Sequence, residues 1–231
     1  MLAAQQWAMV IAISLLAGLD RTALAQTLLS RPLVCACATG LVLGNFSVAF
    51  QVGLLLELLW LMRLPVGAAV APDDTQAAIA AVLVLRVYSG PGADSALLLA
   101  LVVLVVAILA EAGKCCDIWA RHINERLFIQ ADPAHSHGGL PSITACNNCG
   151  LAVFALASLL SLTLITATTV ALIHIGAVII ADISLVHPAW LYLPYVLVGV
   201  AAVLVALNMG RRMVLLFAGS YLLALVVLEL C

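Results

Sequence analysis

Apolar residues run along this chain in long stretches, near residues 2–19, 32–62, 95–110, 143–181, 189–209 and 213–230, with short polar connectors between them. A helix crossing a hydrocarbon core of about 30 Å needs about 20 mostly apolar residues. The pattern therefore predicts an all-α integral membrane protein with about six transmembrane helices. Two stretches exceed one crossing: at 1.5 Å rise per residue, residues 143–181 would be roughly 58 Å long. That run must tilt strongly, break or enclose a bent segment; 32–62 is the other overlong stretch. Between residues 63 and 94 the apolar runs are short and punctuated by Pro65, Gly67 and Pro72, which marks a re-entrant or broken-helix segment. The longest polar insert, about 111–140, ends in Gly138-Gly139 and Pro141 and divides the chain into two hydrophobic halves. Residues 1–231 read as a single membrane-embedded domain. The opening segment to Leu19 has neither a basic start nor a small-residue cleavage site, so it reads as a retained span.

Composition sharpens this picture. The chain is 66% hydrophobic and 9% charged, against about 45–50% and 25% for soluble domains, which excludes a soluble globular protein. Nine Lys+Arg against 11 Asp+Glu give no basic surface for nucleic acid. Seven cysteines, an odd number lying in or beside apolar runs, do not make a disulfide framework. Arg21, Arg31, Lys114, Arg121, Arg126, Arg211 and Arg212 fall in the first, third and last connectors, and only Arg63 and Arg86 in the second. By the positive-inside rule those three connectors are cytoplasmic and both termini outside, on the assumption that 63–94 enters and leaves by one face. A cysteine introduced at Ala134 is accordingly expected to react with an impermeant thiol reagent only from the cytoplasmic side. Labelling in intact cells would overturn the orientation.

An ionisable side chain inside a bilayer costs on the order of 2.5–3.5 kcal/mol, so each needs a partner, a wet cavity or a function. Glu57 interrupts an apolar run, with Gly53 and Trp60 on its face at helical spacing. It is either paired with an arginine such as Arg63 or available to a ligand. Asp73 and Asp74 follow Pro72, where a carboxylate can cap a helix starting at Thr75 or, at a broken helix, meet a polar substrate. Carboxylates and amides around an aromatic floor suit a sugar, whose hydroxyls donate and accept. Asn45 and Asn208 are the candidate amides. His174, Asp182 and His187 would suit a proton path, but a buried neutral histidine bonded to a backbone carbonyl, with Asp182 at a helix end, is the preferred explanation. Cys146-Asn147-Asn148-Cys149 has C-x-x-C spacing, with Cys115, Cys116, His122, His135 and His137 nearby, yet convergent ligands for zinc are hard to supply from adjacent cysteines. No P-loop, dinucleotide fingerprint or G-x-S-x-G occurs. The residues call for no cofactor, no metal and no ATP hydrolysis.

Arg31-Pro32-Leu33, Gly40-Leu41-Val42-Leu43-Gly44-Asn45, Glu57 and above all Gly67-Ala68-Ala69-Val70-Ala71-Pro72-Asp73, with Ala77 and Ile79, resemble the IIC membrane subunit of the mannose-type sugar phosphotransferase system. The likeness is concentrated in residues 1–80; beyond Ala81 it is limited to span layout, the central connector and Asn208. It departs from the family pattern at Asn45, usually acidic, and at Gly53-Leu54-Leu55, usually preceded by a second glycine. The resemblance implies a hexose permease of the bacterial inner membrane, working in an oligomeric complex with a IID membrane subunit. Soluble IIA and IIB proteins would carry the phosphorylating histidines. Glu57 and Asp73, and more weakly Asn45 and Asn208, would touch the sugar. An ion-coupled secondary transporter and a non-transporting scaffold for phosphotransferase proteins are the alternative readings.

Overall fold

The computed structural model describes residues 2–24, 26–61, 70–88, 95–131, 143–180, 195–196 and 198–199. Six α-helices make up this part, with no strand among the described residues: α1 (Ala4–Thr22), α2 (Pro32–Leu43), α3 (Phe46–Trp60), α4 (Asp74–Tyr88), α5 (Ser95–Ala131) and α6 (Ile143–Ile180). The expected spans at 189–209 and 213–230 lie outside the described residues or reach them only at isolated positions.

The apolar stretch 32–62 is not one span but two short helices. Proline at the first position of α2 needs no amide hydrogen there. Gly44, at φ 69° just past the end of α2, lets the chain reverse. The amides of Gly44 and Asn45 bond back to the carbonyls of Leu41 and Gly40, the paired arrangement that satisfies a helix C-terminus. α3 then folds against α2 at close range. A Cβ on Gly53 would lie 2.9 Å from the Cα of Leu33 and from the Cβ of Ala36, and one on Gly40 would collide with the Cβ of Ala49. With 12 and 15 residues, the two arms are roughly 18 and 22 Å long. Neither crosses a 30 Å core unaided.

α4 is the centre of the bundle. Every residue from Thr75 to Leu85 is buried, and the helix packs against each of the other five. An all-round apolar helix is expected in such a position, and the alanines at 77, 78, 80 and 81 let neighbours approach closely. This is the broken-helix form of the segment expected within 63–94.

Polar contacts fix how the ends align. At one end, Arg21 of α1 reaches Asp73, Thr75 Oγ1 donates to the Ser30 carbonyl, and Arg31 lies beside Glu57. At the other, Gln6 Nε2 donates to the Val42 carbonyl and Arg86 Nε to that of Leu43. α2 and α3 thus leave and return to the Arg21 end, whereas α4 runs from it to the opposite end. Doubling back, which the sequence suggested for 63–94, is the work of 32–60. The connector 23–31 and the point on α5 where the polar stretch begins still share an end, since the Asp73 amide donates to the Ala110 carbonyl.

The polar insert 111–140 is not a loop at its start, since α5 continues as helix to Ala131. It forms an antiparallel pair with α6: Gly113 faces Ser161, and Asn124 Nδ2 donates to the Gly150 carbonyl. Both helices contain stretches long and apolar enough to cross a membrane, Leu98–Ala131 and Ile143–Gly176. At 38 residues, α6 is roughly 57 Å long and unbroken.

Candidate functional site

The break before α4 gathers the buried charges. Asp73 caps the helix: the Gln76 amide donates to its Oδ1 at 3.2 Å, and its own amide donates to the Ala110 carbonyl of α5. Arg21 enters from α1. Its Nη1 donates to Asp73 Oδ1 at 2.7 Å, while Nη2 donates to the carbonyls of Ala71 and Pro72 at 2.9 and 2.8 Å. Nε lies 3.8 Å from Asp74 Oδ1. The Arg21 and Asp73 side chains are only 16% and 7% exposed, so this ion pair is made largely away from water.

Glu57 does for α2 what Asp73 does for α4. Its Oε2 accepts the Leu33 amide at 3.3 Å, one of the free donors of the first turn of α2, and its Oε1 is 3.4 Å from Arg31 Nε. A carboxylate at a helix N-terminus is favoured by the free amides and by the dipole. The partner is therefore Arg31; Arg63 lies outside the described residues. Trp60 is buried, and Gly53 is spent on contact with α2 rather than left open beside the carboxylate.

Sequence reasoning missed the rest of this network. Asp20, buried, accepts the Thr27 amide and hydroxyl and the Ser30 amide, folding the α1–α2 connector over the site. Gln76, also buried, exchanges bonds with Ser14: Ser14 Oγ donates to Oε1 and Nε2 donates to the Ser14 carbonyl. A lone amide in an apolar helix, and an Asp-Arg pair closing a span, were the available signals. Gly44-Asn45 inside an apolar run was the signal for the hairpin.

Asp73 and Glu57 are thus placed at one end of the bundle, joined through Ser30 and Arg31. Asn45 is not with them. It begins α3, 12 residues before Glu57 and so roughly 18 Å away along the helix, and its side chain makes no cap bond. Asn208 lies outside the described residues, as do Asp182, His187, His135 and His137. His174 is exposed on α6, contrary to the buried histidine expected. Cys115, Cys116, Cys146 and Cys149 are free thiols, and no three metal-ligating side chains converge among the described residues.

Two cavities adjoin these elements. One of about 20 Å³ is lined by Gly18, Arg21, Thr22, Asp73, Asp117 and Ser158, enough for about one water. The other, about 330 Å³, opens between α5 and α6 beside Asn124, Asn147, Phe128 and Phe154. In this conformation a sugar does not fit at Asp73; a guanidinium already occupies the acceptors.

A helical membrane bundle with two arginine-paired carboxylates at the starts of broken helices is the class of protein this geometry defines. Residues 4–229 match the family described as the PTS system sorbose-specific IIC component. The chain belongs to that family, and the mannose-type IIC resemblance is borne out. The mannose-specific EIIC component of Escherichia coli K12 is 34% identical over 115 residues, 49% of this chain and 40% of that protein. The fructose permease IIC component of Bacillus subtilis 168 is 34% identical over 114 residues, 49% of this chain and 39% of that protein. The aligned part thus spans less than half the length of these relatives. A solved membrane-protein structure matches 100% of this chain and 92% of its own at a TM-score of 0.66 and 23% identity. The mannose transporter ManYZ, solved by cryo-electron microscopy in complex with microcin E492, matches over 96% and 87% at 0.57 and 22%. These two likenesses concern the fold.

Proposed function

We propose that this chain is the membrane permease subunit of a phosphoenolpyruvate-dependent phosphotransferase system for a hexose, multi-pass in a bacterial inner membrane. The family match over residues 4–229 carries the reading; the mannose and fructose named for its relatives supply the substrate class. A IID membrane subunit is its partner, as the pairing in the ManYZ name suggests, and soluble IIA and IIB proteins pass phosphate to the sugar. Glu57 and Asp73 are the sugar-contacting carboxylates. Both stand at a helix N-terminus, so the sugar's hydroxyls meet carboxylate oxygens that also hold helix amides. The chain itself holds the unmodified sugar and presents it at the face carrying the 111–140 connector. Energy comes from the phosphoryl donor.

Vesicles containing the chain and its IID partner test this. Uptake is expected to require phosphoenolpyruvate and the relay proteins, to yield sugar phosphate, and to be indifferent to ionophores. Accumulation of free sugar that an ionophore abolishes would overturn the reading in favour of ion coupling.

A further inference from the structure

Beyond Asp73 and Asp74, Arg21 has a third carboxylate within reach that the site as described does not use. Asp117, on α5 and 7% exposed, lines the same one-water cavity as Arg21 and Asp73. Its present ion partner is Arg121, one helical turn on, at 3.5 Å, and that arginine is 55% exposed. With its arginine end in solvent, this pair is weaker than one buried at both ends. Arg21, by contrast, fills three acceptors that point at one spot: Asp73 Oδ1 and the carbonyls of Ala71 and Pro72. A carboxylate and two carbonyls converging on one place are what a polyhydroxylated ligand would satisfy with its O–H donors.

We propose that Arg21 is an internal place-holder for the sugar and Asp117 the positioning residue that receives it: when a hexose binds, the guanidinium crosses the cavity from Asp73 to Asp117. This rests on the permease reading above. The move keeps the buried arginine paired throughout, which matters because an unpaired buried charge is far more costly than a paired one, while Asp73 keeps the Gln76 amide and exchanges the guanidinium for sugar O–H donors. It requires a space between the two carboxylates, and the cavity is there. It also requires that Asp117 be free to accept, so Arg121 competes with the sugar-bound state. Removing Asp117 and removing Arg121 should then act in opposite directions on sugar affinity. A purely structural pair would give variants that lose yield together and leave affinity alone.

The test is binding of radiolabelled mannose and fructose to the full chain with its IID partner in nanodiscs, on monodisperse protein. Asp117→Asn is expected to weaken the bound sugar about tenfold, within the usual range of coupling between linked sites. Asp117→Glu should restore most of it. Arg121→Gln is expected to tighten binding about two- to fivefold, the range of a released ion pair with one end in solvent, and it remains informative if Asp117→Asn does not fold. Wild-type protein that binds neither sugar sinks the permease reading and this inference with it. Wild-type protein that binds, with Arg121→Gln unchanged or weakened, sinks this inference alone.

Discussion

Replacing Arg21 with Met is expected to lower the thermal midpoint of the detergent-solubilised protein by about 10 °C. Asp73 and the carbonyls of Ala71 and Pro72 each lose the guanidinium donor, and Asp74 loses its nearby cation, all at once. Breaking a buried ion pair by removing one partner costs about 3–5 kcal/mol, and about 1 kcal/mol is worth about 2–4 °C for a domain of this size. The second replacement, Arg21→Met with Asp73→Asn, should recover part of the loss, because it removes a stranded carboxylate and keeps an acceptor for the Gln76 amide. Arg21→Lys should fall between, since an ammonium lacks the fork that serves a carboxylate and two carbonyls together. A midpoint for Arg21→Met within about 2 °C of wild type would show that water reaches the pair and that the bundle does not depend on it.

For the sugar, Glu57→Gln and Asp73→Asn should each reduce hexose affinity roughly ten- to hundredfold, the equivalent of about 1.5–3 kcal/mol for a hydrogen bond to a charged group. Shape is kept while charge and acceptor strength fall. The two sites differ in what else is lost. Asn at 73 surrenders the pair with Arg21, so its folded yield drops too; Gln at 57 still accepts the Leu33 amide and gives up only the looser contact with Arg31. Glu57→Gln is therefore the cleaner measurement. Should it fold well and bind mannose and fructose with wild-type affinity, Glu57 is a cap for α2 and the assignment to the sugar fails.

Asp73 shows how closely structural and binding roles can be tied. One Oδ1 atom accepts from a helix amide and from an arginine, and the capping role expected from Pro72-Asp73 is what the structure displays, one residue earlier than anticipated. The pairing that matters most for stability was hidden because Arg21 and Asp73 are 52 residues apart. Arg21 also looked like a topology signal, an ordinary connector arginine. Its guanidinium is in fact turned inward, and the basic bias of its connector is partly a consequence of ion pairing.

The sequence by itself determined the solvent of this protein, its helical class and the places where helices must break. These are local properties: an apolar run long enough to satisfy its own backbone in lipid and a proline without an amide hydrogen before α4. It also placed Asp73 and Asp74 at the start of a helix, where free amides favour them. Only the tertiary structure decided which arginine meets which carboxylate, that 32–60 doubles back while α4 runs through the middle, and that Asn45 stands apart from Glu57. Those outcomes depend on how separate helices align, and alignment is set by close approaches such as Gly53 on Ala36 and Gly113 on Ser161. Such contacts join positions far apart in the chain, and no hydrophobic period or residue spacing encodes which distant surface a helix face will meet.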